Sequence, residues 1–365
     1  MIKSMNRTGG MALGVALLFT VLMSPLSGGD VEVTAVDHAY DLRMSGEAEE
    51  AKAMLEALLS KDKENALAWY ELARTHQHMG LSKPREIFDL LEPIKLASAR
   101  SVELAPENYS VVSYHAMIGM FSSYPSIMQK DADAKGNVEQ AIEGYESLLK
   151  LRPASPVTLL VLTELNVFLD RMYGEGGSKA EAYAEKLEEI DPVQGAKARE
   201  ILLPEDAKRI PYWKAVLAKH PDDADVLECL SKACLWEAPD KADKYLKATL
   251  KEDPGKTLLY LDFARAHVMQ GMRNEDERAD WFQKAIAYFD QYLATNPSNP
   301  MKAYAIGAKV PLVRRMGDKQ QAQQFRRQAM KLDPFYSRAS GIPSQMLFTP
   351  PGEEIAYHRY WFRMF

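Results

Sequence analysis

Residues 138–153 read VEQAIEGYESLLKLRP, and the fold is decided by what this stretch does. Ala141 and Tyr145 are four apart, so on a helix they share one face. The small residue lets a neighbouring helix approach closely, and the large one fills the gap beside it. Pro153 ends the helix, because the residue before a proline is pushed out of the α region. Tyr145 lies eight residues before Pro153, and that spacing recurs. Phe289 stands eight before Pro297 and Leu246 eight before Pro254, each four residues after an alanine (Ala285, Ala242). Ala180/Ala184 before Pro192 and Ala322/Arg326 before Pro334 repeat it with weaker large residues.

A preceding helix supplies the other half of each unit. Trp69-x2-Leu72-Ala73-x2-His76 and Tyr260-x2-Phe263-Ala264-x2-His267 are the clearest cases. Leu227-x2-Leu230-Ser231-x2-Cys234 and Ala303-x2-Ile306-Gly307 are fainter. Prolines 106, 153, 192, 221, 254, 297 and 334 mark the units. Aromatic, Leu-Ala, Ala-x3-aromatic, then Pro is the order of the tetratricopeptide repeat (TPR), and this chain resembles that family from about Val36 to Pro334. The resemblance implies an all-α, right-handed α-solenoid of about eight TPR-like helical hairpins, starting near 36, 65, 108, 155, 194, 223, 256 and 299, with a C-terminal capping segment. Extra residues stand after Gly80, around Ser122–Gly136 and after Gly271; the second stretch is expected to be a long loop, the roof that an enclosed pocket would need. The fifth unit is short, and Arg209-x3-Trp213 puts Arg where a small residue is expected. Val31–Thr34 alternates like a strand but reads as coil.

The ends read differently. Lys3 and Arg7 precede an uncharged run, MALGVALLFTVLM at 11–23, and then Pro25 and Ser27-Gly28-Gly29. That order is expected of a cleaved signal peptide over 1–29, with an uncleaved anchor as the alternative. The solenoid is assigned to 30–335 and an aromatic tail to 336–365, whose end, IAYHRYWFRMF at 355–365, is expected to form a helix capping the last hairpin. The expected location is the periplasm or outside the cell.

Composition narrows the work the chain can do. Lys plus Arg number 45 against 51 Asp plus Glu, a net charge of −6. A chain-wide basic surface for nucleic acid is therefore not expected. Cys229 and Cys234 are five apart on one helix, about 8 Å by helical rise, too far for a disulfide, and are expected to be buried thiols. His76 and His78 point to different sides of a helix and cannot share a metal. His76 and His267 sit on packing faces and are expected in the core. The Gly174–Lys179 stretch is a turn, since its spacing is not that of a phosphate loop. No catalytic, metal-binding or cofactor-binding constellation is legible. His38, His115 and His358 are the residues that would carry one if repeats brought them together.

In the family that this chain resembles, the first helix of each pair lines the concave side. The stripe expected there is Tyr70, Arg74, Gln77 and His78, then Ser113, Met117, Met120 and Phe121, then Glu164, Lys232, Arg265 and Tyr304. Tyr70, Arg74, Gln77, His78, Met117, Phe121, Lys232 and Arg265 are the candidate peptide-binding residues. Aromatic, Arg and Met side chains suit such contacts. The Lys/Asn/Asn/Lys/Arg set by which some members clamp a terminal carboxylate is missing, so a chaperone-tail clamp is not expected. The function expected is an exported scaffold or adaptor without a catalytic centre, binding a protein or peptide of the cell envelope. A small-molecule-binding accessory of a transporter and an enzyme on a repeat scaffold are the alternatives.

Overall fold

The structure is a computed structural model, and it describes residues 30–80, 87–129 and 132–339. Those residues form sixteen α-helices, fourteen of them paired in seven helical hairpins. The first pairs α1 (Asp30–Ser45) with α2 (Ala48–Lys61), and the second α3 (Ala66–Gly80) with α4 (Ile87–Leu104). Next come α5 (Tyr109–Gln129) with α6 (Ala134–Leu151), and α7 (Pro156–Tyr173) with α8 (Gly177–Ile190). Then α9 (Pro192–Leu202) precedes α10 (Arg209–Lys219), and α11 (Ala224–Glu237) pairs with α12 (Pro239–Glu252). The array ends on α13 (Leu259–Arg273) with α14 (Arg278–Ala294), and α15 (Asn299–Arg315) with α16 (Lys319–Leu332). A short 3₁₀ turn at Tyr336–Arg338 follows. The chain is all-α over its described residues, and its first helices begin within a few residues of the expected unit starts, except α1, which begins earlier.

The Asp-Pro pairs both stop helices and start them. The carboxylate of Asp191 accepts the Val193 and Gln194 amides at 3.0 and 3.1 Å, with Pro192 at the first turn of α9. This is an N-cap followed by proline where its missing N–H costs nothing. Asp223 caps α11 in the same way, through the Asp225 and Val226 amides. The small–large pairs are also where expected: Ala141, Tyr145, Ala242, Leu246, Ala285 and Phe289 are all buried.

Two sequence expectations change. Val31–Thr34 belongs to α1, not to coil. Most of the Ser122–Gly136 insertion is helix, since α5 runs on to Gln129 and α6 begins at Ala134; the expected roof does not exist as a loop. The residues after Gly271 extend α13 to Arg273 before a short turn. The fifth unit departs furthest. Its helix α9 packs on α7 and α8, whereas α10 packs mainly on α11, so the two barely form a hairpin. Trp213 of α10 is nevertheless fully buried, in the core shared with α11 to α15.

Curvature follows from which helices meet. Successive first helices touch one another (α1 with α3, α7 with α9, α11 with α13), and no successive second helices do so to that extent. The first helices therefore line the inner side. The two ends of the array also meet: α1 packs on α15. The side-chain amide of Asn299 donates to the Ser45 carbonyl at 3.0 Å. Gly46, at φ +99°, comes so close to the Leu332 carbonyl that a β-carbon there would lie 2.0 Å from its oxygen.

The signal-peptide assignment, 1–29, lies outside the described residues, as do residues 340–365 of the tail. No helix among the described residues is long and apolar enough to cross a membrane.

Candidate functional site

The inner face divides into three zones. The first is the seam where the ends meet. On α3, Leu72 packs toward α1 and α2, and Ala73 toward α4 and α5. Glu71, Arg74 and His78 occupy the remaining, inner side. Arg43 of α1 donates from Nε to Glu71 at 2.6 Å, and Arg74 pairs with the same carboxylate at 3.4 Å. The Arg74 guanidinium also lies 5.7 Å from the Tyr40 ring centre and 5.2 Å from that of Tyr70. His78 donates from Nε2 to Oδ2 of Asp333 at 2.7 Å. The other oxygen of Asp333 accepts the Phe335 and Tyr336 amides, each at 2.8 Å. The Tyr336 ring packs 4.3 Å from the His78 ring, centre to centre. The 3₁₀ turn after α16 thus sits on the inner side of α3.

Charge is held tightly in the seam. Burial pulls the His78 ring below its ordinary pKa, outweighing Asp333, which favours protonation. Burial likewise raises the Tyr336 phenol.

The second zone is aromatic and sulfur-rich. Tyr114 of α5 packs edge-on against Tyr70 at 5.5 Å and donates its hydroxyl to Gln77 at 3.0 Å. Met117 belongs to the core that α5 shares with α3 and α4 and Met120 to the core it shares with α6 and α7, and the buried Ser113 belongs to neither. On α7, Leu162 and Leu165 face α5 and α6, and Leu159 and Val167 face α8 and α9. Glu164 lies between those surfaces, on the inner side, yet is only 5% exposed.

The third zone is a ladder of alternating charge across α9, α11 and α13. Lys197 meets Asp225 at 2.7 Å, and Asp225 meets Lys256 at 2.5 Å. Lys256 reaches Glu228 at 2.8 Å, and Glu228 reaches Lys232 at 2.6 Å. Lys232 completes the ladder at Asp262, 3.3 Å away. Burial alone would raise the Glu228 carboxyl, but Lys232, Lys256 and Lys197 outweigh it and hold it far below the carboxylate range. At Asp262 burial wins over Lys232 and the group is raised. Arg265 and Tyr304 continue the zone toward α15, and burial pushes the Tyr304 phenol up to about 12.

The expected binding residues fall unequally among these zones. Tyr70, Arg74, His78 and Met117 were expected to be accessible, and all four are buried. His78 is consumed by the end-to-end closure, Arg74 by Glu71 and the Tyr40 and Tyr70 rings, and Tyr70 and Met117 by the core that α3 shares with α4 and α5. Phe121 and Gln77 are half-buried against the same core. Lys232 and Arg265 are half-buried on the charged zone. Asp225, Glu228, Lys256 and Asp262 complete that zone and were missed. They stand in ordinary-looking acidic and basic positions, and only the stacking of neighbouring units brings them within reach of one another.

The other histidines separate. His267 is buried and donates to the Phe263 carbonyl at 2.8 Å, as a core histidine. His76, expected in the core with it, is half-buried. His38 is exposed on α1, and His115 pairs with Ser98 at 3.1 Å, so these two do not converge; His358 lies outside the described residues. Cys229 and Cys234 are both free and buried. No cluster of His, Cys, Asp or Glu among the described residues is arranged to hold a metal.

No family model and no curated protein matches the chain. Solved structures resemble it at low identity. A tetratricopeptide repeat protein from Parabacteroides merdae is 15% identical over 73% of this chain and 93% of its own, with a TM-score of 0.40. Human IFIT1, solved as a dimer with m7Gppp-AAAA, is 17% identical over 92% and 74%, at 0.36. Yeast Tom70 is 13% identical over 87% of each chain, at 0.28. The stacked hairpins and their capped, proline-punctuated helices themselves make this chain a TPR-like α-solenoid.

Proposed function

We propose that the chain is an exported repeat scaffold that binds an extended segment of a protein partner on the charged zone of its inner face, without chemistry of its own. The observation that carries this reading is the ladder of alternating charge from Lys197 to Asp262, whose side chains are 12 to 28% exposed. A ligand charge of matching sign can replace a rung's internal partner, so that no partly buried charge is left uncompensated. Carboxylates and ammonium groups alternating along one face suit a polypeptide that carries both signs. The seam, by contrast, is assigned to structure and not to ligand binding.

Export rests on the segment 1–29, whose charged start, apolar run and small residues fit a secretory signal. The partner is accordingly placed in the cell envelope or outside the cell.

The test is photo-crosslinking in the native cell, with a benzophenone residue in place of Arg265 on the inner face or Lys247 on the outer α12. One polypeptide captured from position 265 and not from 247 supports the reading. Equal capture from both positions, or none from 265, overturns it.

A further inference from the structure

Charge is divided unevenly along the chain. Residues 30–202 carry 18 basic side chains against 30 acidic ones, a net of −12, whereas residues 203–339 carry 23 against 19, a net of +4. Most of the difference sits on the outer, second helices. Together α2, α4, α6 and α8 carry −5, and α10, α12, α14 and α16 carry +8.

Helix geometry turns these cations outward. On α12, Ala242, Leu246 and Thr249 face the core, and Lys244, Lys247 and Lys251 stand exposed on the opposite side. On α16, Ala322 and Ala329 are buried, and Arg326, Arg327 and Lys331 are exposed. On α10, Trp213 is buried, and Lys214 and Lys219 are exposed. Of these eight cations only Lys251 has an ion pair among the described residues, with Glu252 at 2.8 Å. A second α12 carboxylate, Asp243, is taken by the Tyr288 hydroxyl. The acidic half differs: Lys52 pairs with Glu56, Lys135 with Glu139 and Glu175, and Lys179 with Glu146.

Unpaired cations on one arc of an otherwise acidic chain fit a polyanion, and their layout favours a surface over a strand. They spread across a convex face several helices wide and do not follow a groove. A Coulombic reach of about 10 Å lets such a face act on a plane that only part of it touches. Lysines and arginines so placed add their attractions to an anionic lipid surface one by one. Met330, between Arg327 and Lys331, and Trp236, at the turn from α11 to α12, are exposed apolar side chains suited to the headgroup layer. Among the described residues, no aromatic ring on α10, α12, α14 or α16 is exposed, so the face has no platform for stacking bases.

We propose that the outer face of α10, α12 and α16 docks on an anionic phospholipid surface, with the acidic half of the array turned away and the inner face left open. This inference does not depend on the identity, or the existence, of a partner on the charged zone.

The experiment is sedimentation of the full chain with vesicles of phosphatidylcholine, alone or mixed with phosphatidylglycerol, at low and at high salt. Binding about tenfold tighter to the anionic vesicles is expected at low salt, and high salt should erase most of the difference. K247E with R327E is expected to remove that preference, and K150E with K186E, on α6 and α8, to leave it unchanged; all four side chains are exposed. Contact through the apolar run 11–23 is common to both variants and cancels in the comparison. No preference for the anionic vesicles, a preference that salt does not weaken, or equal losses in the two variants would overturn the proposal. So would tighter binding to an RNA duplex at the same phosphate concentration, which would make the face a nucleic-acid site.

Discussion

Nε2 of His78 lies 2.7 Å from Oδ2 of Asp333, joining residues 255 positions apart across the two ends of the array. Both side chains are buried, and the second Asp333 oxygen is filled by two backbone amides. An open solenoid exposes its end faces to solvent or covers them with capping segments. Here each end covers the other.

The pair should matter in proportion to what each change leaves behind. His78→Ala strips a buried carboxylate oxygen of its donor, and the expected loss is about 3 kcal/mol. Asp333→Asn keeps an oxygen for the Phe335 and Tyr336 amides and offers an amide to the ring, so it should cost clearly less. Urea unfolding midpoints rank the two, and equal losses would contradict the roles assigned to the two oxygens.

Acid should loosen the closure before it attacks carboxylates. His78 faces Asp333, Arg43, Glu71, Phe335 and Tyr336, and burial holds its pKa below 6.5 in the folded chain. The unfolded chain then binds the proton more readily, so stability is full above pH 6.5 and falls as pH drops below it. His76, His115 and His267 are shifted the same way and add to the slope. Thermal melts between pH 7.5 and pH 5 should show a falling Tm, and His78→Gln should flatten part of that fall. An unchanged slope in the variant would remove His78 from the account.

Tyr70 and Arg74 illustrate how far a sequence reaches. Repeat spacing, helix stops, buried thiols and the order of first and second helices follow from local rules, because each is set by neighbours within a unit. Asp333-Pro334 was readable as a helix stop for that reason. Its meeting with His78 was not, because closure accumulates from small rotations between units, none of which leaves a mark in any one of them. The same blindness made Tyr70 and Arg74 look like groove residues. Helix position places Arg74 on the inner side, where Glu71 and the Tyr40 and Tyr70 rings hold it buried. The charged ladder was half-visible for a related reason: Lys232 and Arg265 sit at the right register, but their partners come from adjacent units and loops.

Tyr70→Ala should therefore unsettle the fold rather than merely weaken binding. A buried aromatic replaced by alanine costs about 3 to 5 kcal/mol, and Tyr70 also carries contacts to Tyr114 and Arg74. Denaturant unfolding checks this directly. A variant of native stability would return Tyr70 to the ligand-binding surface.

Gly307 offers a test with an inverted sign. In a helix interior, glycine to alanine usually gains about 1 kcal/mol. A β-carbon on Gly307 would instead lie 2.3 Å from the Ser337 carbonyl oxygen, where the 3₁₀ turn crosses α15. Gly307→Ala should destabilise the chain, and a gain in Tm would show that the turn does not pack there.

The central claim is that the two ends of the array meet, and a distance between them tests it most directly. Spin labels at Glu47 and Lys331 occupy exposed positions flanking the contact between Gly46 and Leu332. At about 3.8 Å per Cα step, closure places their backbones roughly 10 to 15 Å apart. Pulsed dipolar spectroscopy should then give one narrow distribution below about 30 Å once the label arms are included. Ends separated by seven interhelix steps of about 10 Å would give values near 70 Å, and such a distribution would contradict the account.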